Sequence, residues 1–305
     1  MRVSKRGRLL RVQVGLLSGL LLFGLVPTPV SAVQATDQAV RESILLSPTS
    51  KHYELDAGAT KRDSFKIVND GTAKFSFTVY ARPYSVNNEE YTPNFETDTK
   101  NGDAYKWVQF DQPSYQIDPG KTIEVAYTIR VPENAQPGGH YGVLFAETQP
   151  SGQVNGTAII RKKRVGAILY TTVKGDVTLA GDYIGPDVPF WQFKRPLAAS
   201  QRVKNNGNTD FSVKHGVVVS DFFGAVKYRS EKEQFVLPDT TRRLVNDWTN
   251  PSWIGLYRVE LNTQFLDTNA SSTHYVLMVP IWAYMVLGLL IGARVLYAVA
   301  QRKRK

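Results

Sequence analysis

The chain has 305 residues, with 37 Lys and Arg against 27 Asp and Glu, a formal net charge of +10 and a pI near 9.6. Five basic residues lie in 1–32 (Arg2, Lys5, Arg6, Arg8, Arg11) and five in 294–305 (Arg294, Arg302, Lys303, Arg304, Lys305), and neither segment holds an acid. The body between them is formally neutral, with 27 residues of each sign, so it lacks the basic footprint that a nucleic-acid-binding domain needs to neutralise phosphates.

The first 32 residues run from this basic stretch through the apolar segment 14–26 to Pro27, Pro29 and the small-residue triplet Val30-Ser31-Ala32. That pattern predicts a secretory signal peptide over 1–32, cleaved after Ala32, with cleavage after Ala35 as the weaker option. An exported chain without cysteine has no disulfides and must rely on its apolar core; it also has no thiol nucleophile or thiolate metal site.

The body reads as all-β. In Phe75-Ser76-Phe77-Thr78-Val79 and Ile123-Glu124-Val125-Ala126-Tyr127-Thr128-Ile129 the odd positions are apolar, the period of half-buried strands. Phe211 to His215 and Tyr257 to Asn262 repeat it. An internal repeat sets the domain count. The strand ending in Asn69-Asp70-Gly71 and followed by Phe75 parallels the one ending in Asn205-Asn206-Gly207 and followed by Phe211. Ile117-Asp118-Pro119-Gly120 likewise parallels Leu237-Pro238-Asp239. Two immunoglobulin-like β-sandwich domains are expected, at 40–176 and 177–268. A C-terminal transmembrane helix follows at 275–299, since 275–293 carries no charge, and 300–305 is a basic cytoplasmic tail. The body is then extracellular on a single-pass anchor.

Tyr53 to Gly58, the Asn69-Asp70-Gly71 turn, Ile117 to Gly120, Val131-Pro132 and Pro137-Gly138-Gly139-His140-Tyr141-Gly142 together resemble the N-terminal domain of WxL-interacting bacterial cell-surface proteins. The resemblance implies a signal peptide, two β domains, one membrane helix and a short basic tail. It also implies peptidoglycan binding by the first domain and a protein ligand for the second.

Two segments are candidate binding sites. Arg161-Lys162-Lys163-Arg164 is the densest charge run of the body and suits anionic wall polymers or lipid headgroups, or serves as a charged strand end. Phe190, Trp191 and Phe193, on a segment stiffened by Pro186, Pro189 and Pro196, suit stacking on sugars or a protein interface, or else pack into an interdomain seam. His140 in its Gly-rich loop stands apart from His52, His215 and His274, without metal or triad spacing. His215 falls on an apolar strand face and is expected in the core. Trp107, Trp248 and Trp253 are expected as core or hairpin aromatics. No cofactor, metal or catalytic residue is expected.

The expected function is a non-enzymatic, membrane-anchored binding or adhesion protein that contacts a cell-wall polymer or another surface protein through its sandwiches. Two alternatives come from other classes: a cell-envelope enzyme acting on glycan or peptide, and an accessory subunit whose helix pairs laterally through Gly288 and Gly292.

Overall fold

The computed structural model describes residues 41–149 and 162–303. The expected signal peptide, Arg161 and the last two tail residues lie outside the described residues.

Eleven strands precede residue 174: β1 (Ile44–Ser47), β2 (Ser50–Leu55), β3 (Thr60–Asn69), β4 (Phe75–Pro83), β5 (Ser85–Val86), β6 (Pro93–Asn94), β7 (Val108–Phe110), β8 (Ser114–Ile117), β9 (Thr122–Arg130), β10 (Gly138–Thr148) and β11 (Arg164–Val173). They form a four-stranded sheet in the order β1-β3-β9-β7 and a five-stranded sheet in the order β2-β11-β10-β4-β8. Phe75, Phe77 and Val79 of β4 and Val125, Tyr127 and Ile129 of β9 point inward as expected, and Phe65 and Ile67 of β3 join them in one core.

Eight more strands follow: β12 (Gly181–Asp187), β13 (Trp191–Gln192), β14 (Ser200–Asn205), β15 (Phe211–Asp221), β16 (Val226–Val236), β17 (Thr241–Val245), β18 (Gly255–Phe265) and β19 (Thr268–Met278). Their sheets run β12-β14-β17 and β13-β19-β18-β15-β16. Val217, Val219, Val259, Leu261 and Val276 fill the core between them. The all-β class with two immunoglobulin-like sandwiches and one C-terminal helix is therefore what the chain adopts.

The internal repeat holds at atomic detail. Asn69 and Asn205 are both fully buried. The Asn69 side-chain amide donates to the Ala73 carbonyl (2.8 Å) and faces that of Ile117 (3.4 Å), while its oxygen accepts from the Gly71 N–H (2.9 Å). Asn205 donates to the carbonyls of Thr209 and Val236, both at 2.8 Å, and accepts from Gly207 at 2.8 Å. Each asparagine closes its own turn and ties it to the strand end preceding the Pro-bearing turn of the same sandwich, so no buried polar group is left unpaired there.

The expected helix start requires correction. Residues 275–278 belong to β19, which pairs with β18 along its whole length, from Phe265↔Thr268 to Gly255↔Met278. The second sandwich accordingly runs past 268, and the helix α1 spans Ile281–Arg302, after Pro280 at its N-cap. Val276 and Met278 are buried between more open neighbours, the alternation of a strand. An uncharged run is blind to this difference, because the length criterion counts apolar residues and ignores their period.

Candidate functional site

The five-stranded sheet of the first sandwich has an unusual central strand. Ten of the eleven β10 residues are buried, because the second sandwich covers the start of the strand and the segment between β4 and β7 folds back over the rest of the outer face that a two-layer sandwich leaves open. Tyr84 and Phe95 from this segment pack against the outward-facing Tyr170 and Phe145. The cover stops short of the β4–β11 corner, and there the charged groups Arg82, Lys162 and Arg164 remain exposed around the buried Phe145 ring.

Strand pairing assembles that cluster. Phe145 pairs with Tyr80 and Gly166, and Glu147 pairs with Thr78 and Arg164. The side chains meet on one face because residues two apart in a strand share a side. The Arg164 guanidinium lies 4.4 Å from the Phe145 ring centre and 5.9 Å from that of Phe95. Arg82 lies 5.7 Å from the Tyr80 ring. The Tyr80 hydroxyl donates to Glu147 at 2.6 Å, and Lys162 approaches the same carboxylate at 3.5 Å. The Tyr80 hydroxyl, followed by Lys162 and Arg164, holds the Glu147 carboxyl below its usual pKa against the opposing effect of burial. Beside the cluster opens a polar groove of about 620 Å³, lined by Arg82, Asn87, Asn94, Phe95, Thr97 and Arg164 among others.

The basic run is thus split by strand geometry. Lys162 and Arg164 share this face, whereas Lys163 donates its ammonium to the Glu42 carbonyl on the neighbouring segment. Arg82, Tyr80, Phe95 and the two asparagines were not among the residues singled out from sequence. Arg82 and Tyr80 lie on a strand read for its apolar positions, and the others come from the covering segment, about 70 residues away along the chain from Arg164.

The aromatic candidates lie elsewhere. Strand β13 pairs in parallel with the end of β19, with Trp191 opposite Leu277. Phe190, Trp191 and Phe193 are all exposed, and the Phe193 ring lies 6.0 Å from Tyr284 of α1. They are therefore beside the helix, not in the seam between the sandwiches. That seam is built by residues that the sequence did not mark as interdomain. The Tyr91 hydroxyl accepts from the Leu237 N–H (2.9 Å) and bonds Thr240 (2.6 Å), Tyr141 donates to Asp210 (2.9 Å), and His52 stacks on Tyr170 and touches Phe235.

His140 is buried, with Nδ1 at 2.6 Å from an Asp103 oxygen and Nε2 at 2.8 Å from the Gln136 carbonyl. Both partners are acceptors, so the ring is best served by a proton on each nitrogen. Burial alone would lower its pKa, but the Asp103 carboxylate and the Gln136 carbonyl outweigh that and raise it. Neither nitrogen is free to take a proton from a nucleophile. His215 is buried as expected, its Nδ1 3.0 Å from the Asn246 side-chain oxygen. Among the described residues no three His, Asp or Glu side chains gather as metal ligands.

No family model and no curated protein matches the chain. Solved structures similar to it include the class 5 fimbriae chaperone CfaA (11% identity, TM-score 0.39, covering 78% of this chain and 100% of that one). The YadV chaperone is 12% identical, with a TM-score of 0.40 over 77% of this chain and 99% of its own. The CsuC–CsuE chaperone–tip adhesion subunit complex from Acinetobacter baumannii gives 12%, 0.39, 77% and 98%. Similarities this low decide nothing about what this chain binds.

Proposed function

We propose that this protein is a non-enzymatic, membrane-tethered binding protein whose first sandwich, about 40–176, holds an anionic glycan polymer of the cell wall at the β4–β11 corner. The second domain, from 177 to the end of β19, connects it to α1, and the helix anchors the chain with its basic tail in the cytoplasm. The observation that carries the reading is the union of Arg82, Lys162 and Arg164 with the half-exposed Tyr80 and Phe95 rings beside an amide-lined groove. Guanidinium groups suit carboxylates and phosphates, aromatic rings suit sugar faces, and asparagine side chains suit hydroxyls. The resemblance to WxL-interacting proteins points the same way for the first domain.

The geometry gives the enzymatic alternative little support. Glycoside hydrolysis uses two carboxyl groups across the cleaved bond. The lining of this groove offers Glu96, and the adjacent Glu147 is committed to Tyr80 and Lys162. A protein ligand for the second domain has one feature in its favour. β16 is an eleven-residue edge strand paired only with β15, open to strand addition.

The test is sedimentation of full-length protein in detergent with isolated walls, before and after extraction of their anionic polymers. Arg82→Gln and Arg164→Gln should each weaken retention about tenfold, the cost of one charge-assisted contact, and raised salt should weaken the wild type further. Equal retention of the double variant, or of the wild type on stripped walls, would sink the proposal.

A further inference from the structure

The described residues that precede α1 include four exposed phenylalanines, Phe190, Phe193, Phe222 and Phe223, and two exposed tryptophans, Trp191 and Trp253. All six lie at one end of one sheet. Asp221, where β15 ends, is opposite Tyr257; Gly255, where β18 begins, is opposite Met278; and Trp191 is opposite Leu277. The loops at 190–193, 222–224 and 253–254 therefore line up across four neighbouring strands, about 15 Å at the usual strand spacing. This is the end from which α1 departs, with only Val279 and Pro280 between β19 and the helix.

The tip at 222–223 is built to project. The Asp221 carboxylate accepts from the N–H groups of Phe223 and Ala225, both at 2.9 Å, and Gly224 takes a φ of +85°. This turn leaves Phe222 73% and Phe223 91% exposed. Single exposed apolar residues are ordinary, but the gathering on one rim of every exposed Phe and Trp among the described residues before α1 is not. Two cations accompany them: Lys194 is exposed, and the Arg195 guanidinium lies 4.3 Å from the Trp253 ring. Asp221, the acid at the hairpin, is neutralised by Lys227 at 3.0 Å.

α1 has 22 residues, about 33 Å at the helical rise, which matches the hydrocarbon thickness of a bilayer. Trp282 and Tyr284 in its first turn stand where an interfacial aromatic belt belongs. A bilayer spanned by α1 has its surface at the level of the rim.

We infer that this rim docks on lipid: Phe222, Phe223, Trp191, Phe193, Trp253 and Ile254 enter the boundary between headgroups and acyl chains, with Lys194 and Arg195 on the phosphates. The inference rests on α1 spanning the membrane. Exposed Phe and Trp rings flanked by cations are the chemistry of interfacial insertion. The second sandwich is thereby seated on the membrane and does not swing on a linker.

The chain has no cysteine, so single labelling sites can be introduced directly. Full-length Phe223→Cys, Ile254→Cys, Leu289→Cys and Asp267→Cys, each carrying a polarity-sensitive fluorophore, are reconstituted into phosphatidylcholine–phosphatidylglycerol vesicles with or without acyl-chain spin-labelled lipid. Asp267 lies in the turn at the far end of β18 and β19, about 35 Å along the strands from the rim. The probes at 223, 254 and 289 should shift to the blue and lose emission to the spin label, and that at 267 should do neither. Quenching at 289 alone overturns the docking while leaving the membrane helix intact. No quenching at 289 overturns the membrane helix, and the docking with it. A probe at 223 protected from aqueous iodide yet unquenched by the lipid would mean a protein covers the rim, and also overturns the inference.

Discussion

Two buried asparagines show how single residues hold this fold. Asn69 and Asn205 each satisfy backbone groups that no water reaches, so alanine at either position leaves carbonyls and an N–H unpaired. Either substitution should cost about 2–4 kcal/mol of stability, read from denaturant midpoints, with Asn205→Ala the costlier because both its donor contacts are short. The histidines give opposite pH responses. Burial pushes the His215 pKa down to about 4, so its contribution is complete above the ordinary histidine value of 6.5 and is lost as pH falls from there toward 4. The pKa of His140 is raised, so its ion pair with Asp103 stabilises fully below 6.5 and fades as pH climbs through the raised value. His215→Gln should flatten the stability loss between pH 6.5 and 4.5, and His140→Gln the loss above 6.5, both in unfolding titrations. Identical pH profiles for variant and wild type would remove either assignment.

At the scale of elements, the boundary between β19 and α1 carries the clearest consequence. Val276 is fully buried in the second core, although it lies in an uncharged run that sequence assigned to the membrane. Val276→Asp places an unpaired carboxylate between the sheets and should destabilise the second sandwich by about 3–5 kcal/mol or abolish its folding, while leaving insertion of α1 unchanged. Limited proteolysis of the vesicle-bound protein checks it: new cleavage within 181–278 is expected, with the helix still protected. The opposite pattern would mean these residues are membrane-embedded. The strands themselves were readable, since β4, β9 and β18 carry clear alternation and β15 begins with it before its Val217-Val218-Val219 run. Strands β12 and β17 carry weaker alternation, and packing rather than local pattern defines them.

Across the whole molecule, the two sandwiches share a third cluster of buried residues, with Tyr84, Tyr91, Tyr141 and Tyr170 from the first and Phe211, Val236, Leu237 and Leu244 from the second. Tyr91→Phe keeps the ring under the Arg242 guanidinium, 4.1 Å away, and removes the hydroxyl that bonds Leu237 and Thr240. A loss of about 1–2 kcal/mol is expected, the value of a buried hydrogen bond with its partner left unsatisfied. Calorimetry should show the unfolding of the two sandwiches drawing apart; a single unshifted transition would count against the seam as a coupling element.

The sequence by itself determined the strand class, the duplicated turn built on Asn69 and Asn205, the apolar C-terminal segment and the placement of the excess charge at the two ends. Each of these is written in local period, turn chemistry or composition, which need no partner from elsewhere in the chain. Only the tertiary structure decided that Arg82 meets Arg164, that the 190–193 aromatics leave the seam for the helix, and that the 222–223 tip and Trp253 join them. Those groupings come from strand pairing between separate segments, such as Trp191 with Leu277 and Asp221 with Tyr257, and pairing depends on register and on which face is already covered. Trp253 illustrates the reason. Its neighbours in sequence suggest a packed hairpin aromatic, and it becomes an exposed rim residue because β18 begins at the same end of the sheet where β19 hands over to α1.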